Sequence, residues 1–296
     1  MKGRGKIGML AAVACLAMAA TCFGQVTFHQ LYGYLNFPAG RAYCFQQTTD
    51  GGYIVCGVLN GGNISTSVYL LKTNSSGSLL WTKTFGEGDT TFSYGYSVRQ
   101  TTDGGYIVAG STRFDSTFDQ IYLIKTNNLG DTIWTRTYGD NNWSSDVGYS
   151  VQQTTDGGYI VAGHSEYFWG VYIIKTNSIG DTLWTKSIFG SSADIGYSIQ
   201  QTTDGGYIIA GCTWMSPSNR DIYLVKIDSV GNNMWTKSFG GPGYEDGYDV
   251  KQTTDGGYII AGGTTSFGAG SNDALLIKTN SNGTIQWTKT YGGTTA

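Results

Sequence analysis

The chain has 296 residues, of which 45 are glycine and only 3 are proline, and 13 % are charged, with a formal net charge of −3. Its 40 % hydrophobic content is enough for a large core and argues against intrinsic disorder, and its acidic balance argues against nucleic acid as a partner. The 21 tyrosines and 8 tryptophans, combined with abundant glycine, predict an all-β protein rich in tight turns.

The first segment, residues 1–24, has the pattern of an export signal. A basic start, "MKGRGK", precedes the apolar run "IGMLAAVACLAMAA", which is short for a membrane span, and small residues follow as far as Gly24. We therefore predict that the mature chain is 25–296, with a net charge near −6 and no transmembrane segment, exported to the periplasm, cell surface or medium. The lipoprotein alternative, with Cys22 as acceptor, fits poorly because Thr21 precedes it.

The motif "TTDGGY" occurs five times, with its aspartate at positions 50, 103, 156, 204 and 255. The spacings are 53, 53, 48 and 51 residues, which is typical of a repeat architecture. Around each copy lie four short β-rich runs, as in "YSVQQ", "YIVAG", "VYIIKT" and "TLWTKS", separated by turn sequences. Four antiparallel strands per repeat, here called A to D, predict a β-propeller blade.

The repeats predict one propeller domain with blades at approximately 40–88, 92–140, 146–190, 195–241 and 246–293. The run "TFHQLYG" at 27–33 resembles a lone strand D, and the chain ends in "YGGTTA", where a loop would lead into a further blade. This pattern predicts a propeller truncated at its C-terminus, with at least six blades in the full protein. The alternative is a five-bladed ring with the extra strand on its edge.

The run "IYLIKTNNLGDTIWTRTYGD" resembles the tryptophan-docking repeats of quinoprotein-type propellers. The whole unit is similar to the repeats of secreted bacterial β-propeller proteins with "DGGYIVAG" and "YLIKTNSNG" signatures. The resemblance implies that the strand D tryptophan docks between neighbouring blades, and the matching residues are Trp81, Trp134, Trp184, Trp235 and Trp287. It carries over no Ca²⁺ or quinone site, and we expect no cofactor and no metal.

The repeats agree at one edge of the units and differ at the other. The A–B and C–D turns are nearly invariant, whereas the B–C and D–A loops vary, so any specific function is expected on the variable edge. The repeated aspartates are interpreted as turn residues rather than Ca²⁺ ligands. The lysines of strand C are expected to pack their stems between blades, with the ammonium at a rim; they are Lys72, Lys125, Lys175, Lys226 and Lys278.

Aromatic and acidic residues in the variable loops are the candidate ligand-binding residues. They are Trp143, Glu166, Tyr167, Phe168, Trp169, Trp214, Tyr244, Glu245 and Asp246. Rings beside carboxylates suit stacking on sugars or capturing peptide side chains, although the same rings could simply cap the blade ends. These residues favour a secreted binding or adhesion module for an extracellular glycan or protein, without catalytic activity. The alternative is a hydrolase or lyase acting on extracellular polysaccharide. The two histidines, His29 and His164, lie far apart in the sequence and indicate no catalytic triad.

Two cysteines of the first repeat are predicted to lie opposite each other. A three-residue "TDG" loop with Gly51 in the left-handed conformation would pair Cys44 with Cys56, where the other repeats carry Ser or Asp and Ala. In an exported protein this pairing predicts a disulfide that leaves Cys212 free.

Overall fold

The computed structural model describes residues 40–60, 65–86, 91–113, 118–139, 144–167, 169–190 and 193–294. The described residues form 20 strands and no helix, so the predicted all-β class is confirmed. Consequently, none of them forms a helix long and apolar enough to cross a membrane. The predicted signal 1–24, the predicted strand 27–33 and two candidate residues, Trp143 and Phe168, lie outside the described residues.

Five units of four consecutive strands follow one another along the chain. Unit 1 comprises β1 (Gly40–Gln47), β2 (Tyr53–Asn60), β3 (Thr66–Thr73) and β4 (Leu79–Phe85). Unit 2 comprises β5 (Phe92–Gln100), β6 (Tyr106–Arg113), β7 (Gln120–Thr126) and β8 (Thr132–Tyr138). Unit 3 comprises β9 (Asp146–Gln153), β10 (Tyr159–Ser165), β11 (Gly170–Thr176) and β12 (Thr182–Ile188). Unit 4 comprises β13 (Ile195–Gln201), β14 (Tyr207–Ser216), β15 (Asn219–Ile227) and β16 (Asn233–Phe239). Unit 5 comprises β17 (Glu245–Gln252), β18 (Tyr258–Thr264), β19 (Asp273–Thr279) and β20 (Ile285–Tyr291).

Within each unit the strands pair antiparallel in chain order, A with B, B with C and C with D. Units 1 and 2 are also joined by one parallel bridge between Thr66 and Phe92, so their strands form a single sheet. Because consecutive strands run in opposite directions, the A–B and C–D turns share one edge of each unit. The B–C and D–A loops share the opposite edge, which we call the loop edge.

The repeated "TTDGG" sequence builds a turn around a buried lysine. In unit 1, Asp50 accepts hydrogen bonds from the Thr48 hydroxyl and from the Gly52 amide, the latter at 2.9 Å, and pairs with the Lys72 ammonium at 2.8 Å. Gly51 has φ of 80°, which the three-residue loop requires. A Cβ on Gly52 would lie 2.6 Å from the Lys72 nitrogen, so the second glycine leaves room for the ammonium.

The same aspartate–lysine pair recurs in all five units. The pairs are Asp50–Lys72, Asp103–Lys125, Asp156–Lys175, Asp204–Lys226 and Asp255–Lys278, at 2.8–3.0 Å. Each ammonium lies at the edge formed by the A–B turns, but the lysine is buried there by the turn that surrounds it. Burial opposes ionisation of Asp103 and Asp156, but hydrogen bonds from lysine, threonine and the glycine amide outweigh it and lower each pKa to about 2.

Each unit packs face to face on the next through an apolar core. We call the face that a unit turns to its successor the trailing face and the other the leading face. In unit 1 the trailing face consists of Ile54, Cys56, Val68, Leu70, Trp81 and Phe85. It packs against the leading face of unit 2, which consists of Val98, Tyr106, Val108, Tyr122 and Ile124. Units 2 to 5 pack in the same way through three further clusters of equivalent residues.

The strand D tryptophan of each unit docks on the following unit. The Trp81 ring lies 5.8 Å from that of Tyr106 in an edge-on contact, and a Cβ on Gly130 would come within 2.8 Å of the indole. The equivalent contacts are Trp134 with Tyr159, Trp184 with Tyr207 and Trp235 with Tyr258, at 5.8–6.3 Å. These four indoles are half-buried at the junctions.

The fifth tryptophan differs from this pattern. Trp287 is 42 % exposed, so the expectation that it docks between neighbouring units is wrong for this residue. The reason is that no further unit follows unit 5 among the described residues to supply a tyrosine and a glycine.

Candidate functional site

Three of the candidate side chains meet at the loop edge between units 4 and 5. Trp214 lies near the end of β14 and Tyr244 directly precedes β17, and their rings contact edge to face at 5.9 Å. The Arg220 guanidinium of β15 lies over both rings, 5.0 Å from the Trp214 centroid and 5.5 Å from that of Tyr244. Sequence reasoning identified the two rings but missed Arg220, which is placed opposite Trp214 by the β14–β15 register. We call Trp214, Arg220, Tyr244 and Asp246 the aromatic cluster.

An ion pair lies on the buried side of this cluster. Arg220 donates to Asp246 of β17, and the Tyr248 hydroxyl also donates to the same carboxylate oxygen at 3.2 Å. Burial disfavours the charge on Arg220, but Asp246 more than offsets it, so the pKa of the guanidinium is raised. Burial, together with Asp246, raises the pKa of Cys212 to about 12 and that of Tyr248 to about 12. The charges therefore cancel within the cluster at neutral pH, and the thiol and phenol stay protonated.

Exposure increases from the ion pair towards the rings. Asp246 is buried, Arg220 and Trp214 are half-buried, and Tyr244 is 39 % exposed. Neither Arg220 Nε nor Asp246 Oδ1 has a hydrogen-bond partner in the described part of the chain, although both atoms are buried. The cluster thus presents apolar ring surface to solvent above a buried ion pair.

Two further carboxylates converge beside the cluster. Glu245 is fully buried; it accepts hydrogen bonds from the Thr264 hydroxyl at 2.7 Å and the Gly241 amide at 2.7 Å. Burial opposes ionisation of Glu245, but these hydrogen bonds lower its pKa. Burial, and then the charge of Glu245, raises the pKa of Asp221. A Cβ on Gly240 would lie 2.1 Å from Asp221 Oδ1 and 2.9 Å from Glu245 Oε2, so only glycine allows this approach.

The Glu245 arrangement has a counterpart in the preceding unit. Asp194, just before β13, accepts a hydrogen bond from the amide of Gly190 and is fully buried, as Glu245 is with Gly241. Burial raises the pKa of Asp194. An acidic residue that closes the D–A loop therefore serves the fold in at least two units, and Glu245 faces the loop rather than solvent.

The remaining described candidates lie in the B–C loop of unit 3. The Glu166 carboxylate accepts from the Ser145 amide at 3.3 Å, and Tyr167 is exposed. Trp169 has φ of 53° and is 61 % exposed, while its backbone nitrogen and oxygen bond to Ser165 and Asp194. A non-glycine residue with positive φ is strained, so the loop holds this indole outward at some cost.

Sequence reasoning also missed a row of tyrosines on the strands A. Tyr43, Tyr96, Tyr149, Tyr197 and Tyr248 contact one another in succession, with ring centroids 5.2–5.7 Å apart. The signal was available, because tyrosine occupies the same strand A position in every repeat, as in "GYS". Burial raises the pKa of Tyr96, Tyr149 and Tyr197, so these three phenols stay protonated at neutral pH.

The two cysteines of unit 1 lie directly opposite each other on β1 and β2, in the predicted register, and both are thiols in the structure. The Arg99 guanidinium of unit 2 donates to Cys44 Sγ at 3.3 Å. The hydrogen bond with Cys56, aided by the charge of Arg99, outweighs burial and lowers the pKa of Cys44 to about 5. Burial raises the pKa of Cys56 well above the usual value. Cys212 is likewise a free thiol.

Within the described ranges, no group of three or more His, Cys, Asp or Glu side chains could hold a metal ion. The aspartates of the repeated turns are each engaged by their own lysine, which agrees with a structural role for them.

Comparison with known proteins gives similarity in fold only. No family model matches the chain, and no curated protein matches it. The NanB sialidase of Streptococcus pneumoniae aligns with a TM-score of 0.57 and 9 % identity, over 86 % of this chain and 61 % of that one. A protein of unknown function from Dyadobacter fermentans aligns with a TM-score of 0.56 and 10 % identity, over 86 % of this chain and 85 % of that one. An ancestral GH74 enzyme aligns with a TM-score of 0.50 and 15 % identity, over 85 % of this chain but only 32 % of that one.

Proposed function

We propose that the five units are blades of a secreted β-propeller that binds a neutral extracellular glycan at the aromatic cluster between units 4 and 5. The repeated face-to-face packing and the likeness to propeller glycoside hydrolases support the blade arrangement. The binding proposal depends above all on one observation: Trp214 and Tyr244 form a partly exposed edge-to-face pair around an arginine already neutralised by Asp246.

The geometry suits a sugar better than a peptide or an anion. A pyranose presents C–H groups on one face, which match the exposed ring surface of Tyr244, 39 % exposed and held against Trp214. An acidic ligand would meet a neutralised arginine on a chain whose predicted mature charge is negative, so uronate and sialylated glycans are disfavoured.

A glycan and peptide array on the mature chain, residues 25–296, tests this proposal. We expect signals from neutral oligosaccharides and their loss in Trp214→Ala, with no response from uronate or sialylated glycans. Binding confined to peptides or acidic glycans, or neutral-glycan signals unchanged in Trp214→Ala, would contradict it.

A second candidate function is hydrolysis of the bound glycan. The convergence of Asp221 and Glu245, with pKa values moved in opposite directions, is what an acid–base pair requires. The similar solved structures favour this alternative over a plain adhesion module, because they include a sialidase and a GH74 enzyme. Two observations argue against hydrolysis: Glu245 is fully buried, and its counterpart Asp194 is buried in the same arrangement.

Product analysis on the oligosaccharides that the array selects separates the two functions. Release of reducing ends that disappears in Asp221→Asn but persists in Asp131→Asn, an exposed carboxylate elsewhere, would establish the enzyme. Intact oligosaccharide after prolonged incubation would leave binding as the function.

A further inference from the structure

A pocket of about 450 Å³ lies at the junction of units 4 and 5. Phe239 of unit 4 lines it, together with Phe267, Leu275 and Ile277 of unit 5 and the hydroxyl residues Thr288 and Thr290. Small-molecule sites in proteins have volumes of this order.

The pocket borders the one strand C position at which unit 5 departs from the other units. Leu275 lies opposite Thr290 in the β19–β20 register and packs in the core of the junction with Phe239. The equivalent residue is a tyrosine in each of the other units: Tyr69, Tyr122, Tyr172 and Tyr223. Because leucine lacks the phenol ring, part of the space that a tyrosine would fill stays open between units 4 and 5.

The tyrosines of units 2 and 4 show how a phenol is held at this position. Tyr122 and Tyr223 are 6 % and 4 % exposed, and each packs in the apolar core of the junction with the preceding unit. A hydrogen bond links the Tyr122 hydroxyl to Thr135 of strand D, and another links Tyr223 to Thr236. The Tyr223 hydroxyl also donates to the Phe189 carbonyl of the preceding unit at 3.2 Å.

Both of these hydrogen-bonding partners have counterparts at the pocket. Thr288 occupies the strand D position of Thr236. Gly240 directly follows the last residue of β16, as Phe189 directly follows the last residue of β12. Thr288 and Gly240 both line the pocket, so a phenol placed there meets the hydroxyl and the carbonyl that Tyr223 meets within the chain.

We infer that the pocket between units 4 and 5 binds a small phenol, whose ring takes the place of the tyrosine side chain that Leu275 replaces. The ring lies against Phe239 and Phe267, and the hydroxyl donates to the Gly240 carbonyl beside Thr288. None of the described residues that line the pocket is charged, so the ligand is a neutral phenol rather than a phenolate or a carboxylate. No residue of the aromatic cluster lines the pocket, so this site is separate from the proposed glycan site.

Isothermal calorimetry with 4-methylphenol, the tyrosine side chain as a free molecule, tests this inference on the mature chain. We expect saturable binding of one molecule per chain. Leu275→Tyr should abolish it, because the ring of the new side chain fills the pocket. Leu275→Phe fills the same space and replaces this variant if Leu275→Tyr fails to melt cooperatively.

Leu183→Tyr is the matched control, since this exposed leucine lies on strand D of unit 3, outside the pocket. It should bind 4-methylphenol like the unchanged chain. Thr288→Val tests the hydroxyl: it should weaken 4-methylphenol about fivefold, the effect of one hydrogen bond, and leave the affinity for toluene unchanged, because toluene has no hydroxyl.

Three results would overturn the inference. One is the absence of saturable binding to the unchanged chain. Another is binding that persists unchanged in a cooperatively folded Leu275→Tyr or Leu275→Phe variant, which places the phenol elsewhere. The last is equal weakening of 4-methylphenol and toluene by Thr288→Val, which indicates apolar contact without recognition of the hydroxyl.

Discussion

Replacing Trp184 with alanine should destabilise the protein by about 3 kcal/mol, the low end for a large aromatic residue, because the indole is only half-buried. The indole lies 6.3 Å from the Tyr207 ring, and a Cβ on Gly231 would lie 2.9 Å from it, so truncation leaves a cavity at the junction of units 3 and 4. For a domain of this size, a loss of about 3 kcal/mol lowers the melting temperature by about 6–12 °C.

Trp287→Ala is the matched control, because it removes the same side chain from the same position of strand D. Among the described residues, no unit follows unit 5 on which this indole could dock. Its cost should be below about 1 kcal/mol, since Trp287 is 42 % exposed. Differential scanning calorimetry on both variants gives the comparison. Equal melting shifts for the two would refute the docking of tryptophan on the following unit.

Three other predictions concern the repeated turns and the cysteines. Asp103→Asn leaves the buried Lys125 unpaired and should destabilise the chain. The folded pKa of Asp103 is about 2, below its unfolded value, so the stability that Asp103 contributes is present above about pH 4 and declines as pH falls towards 2; acid unfolding of the unchanged chain and of the variant measures this. Gly130→Ala should cost more free energy of unfolding than Gly104→Ala, because both have φ near 80° but only a Cβ at Gly130 meets the indole of unit 1; equal urea midpoints would contradict this. Cys44 and Cys56 should form a disulfide after export under oxidising conditions, which thiol counting before and after reduction detects, and two free thiols would rule it out.

The repeat itself made most of the strand pattern predictable. Five copies of one turn sequence locate the hairpins, and the alternation around each copy gives strands whose register follows from the loop length, as the opposition of Cys44 and Cys56 shows. The pairing of Asp50 with Lys72 was not predicted, because the two residues are far apart in sequence. An aspartate that forms a turn and a lysine that packs along a strand would each recur in every repeat without contacting the other.

The candidate site was predictable only in part. The rings of Trp214 and Tyr244 were identified because they interrupt the repeat, and the structure brings them together. Arg220 was missed because a single arginine in a variable loop has no periodic signal, and its position over the rings depends on the pairing of two strands. Glu245 was assigned to a ligand, but sequence cannot show that its carboxylate closes a loop and is fully buried.

Titration of the mature chain with the neutral oligosaccharide selected by the array, by isothermal calorimetry, tests the central claim most directly. We expect Trp214→Ala to weaken binding at least about tenfold, the effect of losing one aromatic anchor. Trp169→Ala, which removes an exposed indole from the loop of unit 3, should change affinity by less than about threefold, because that ring lies outside the cluster. Unchanged affinity in Trp214→Ala, or loss of binding only in Trp169→Ala, would contradict the assignment of the site.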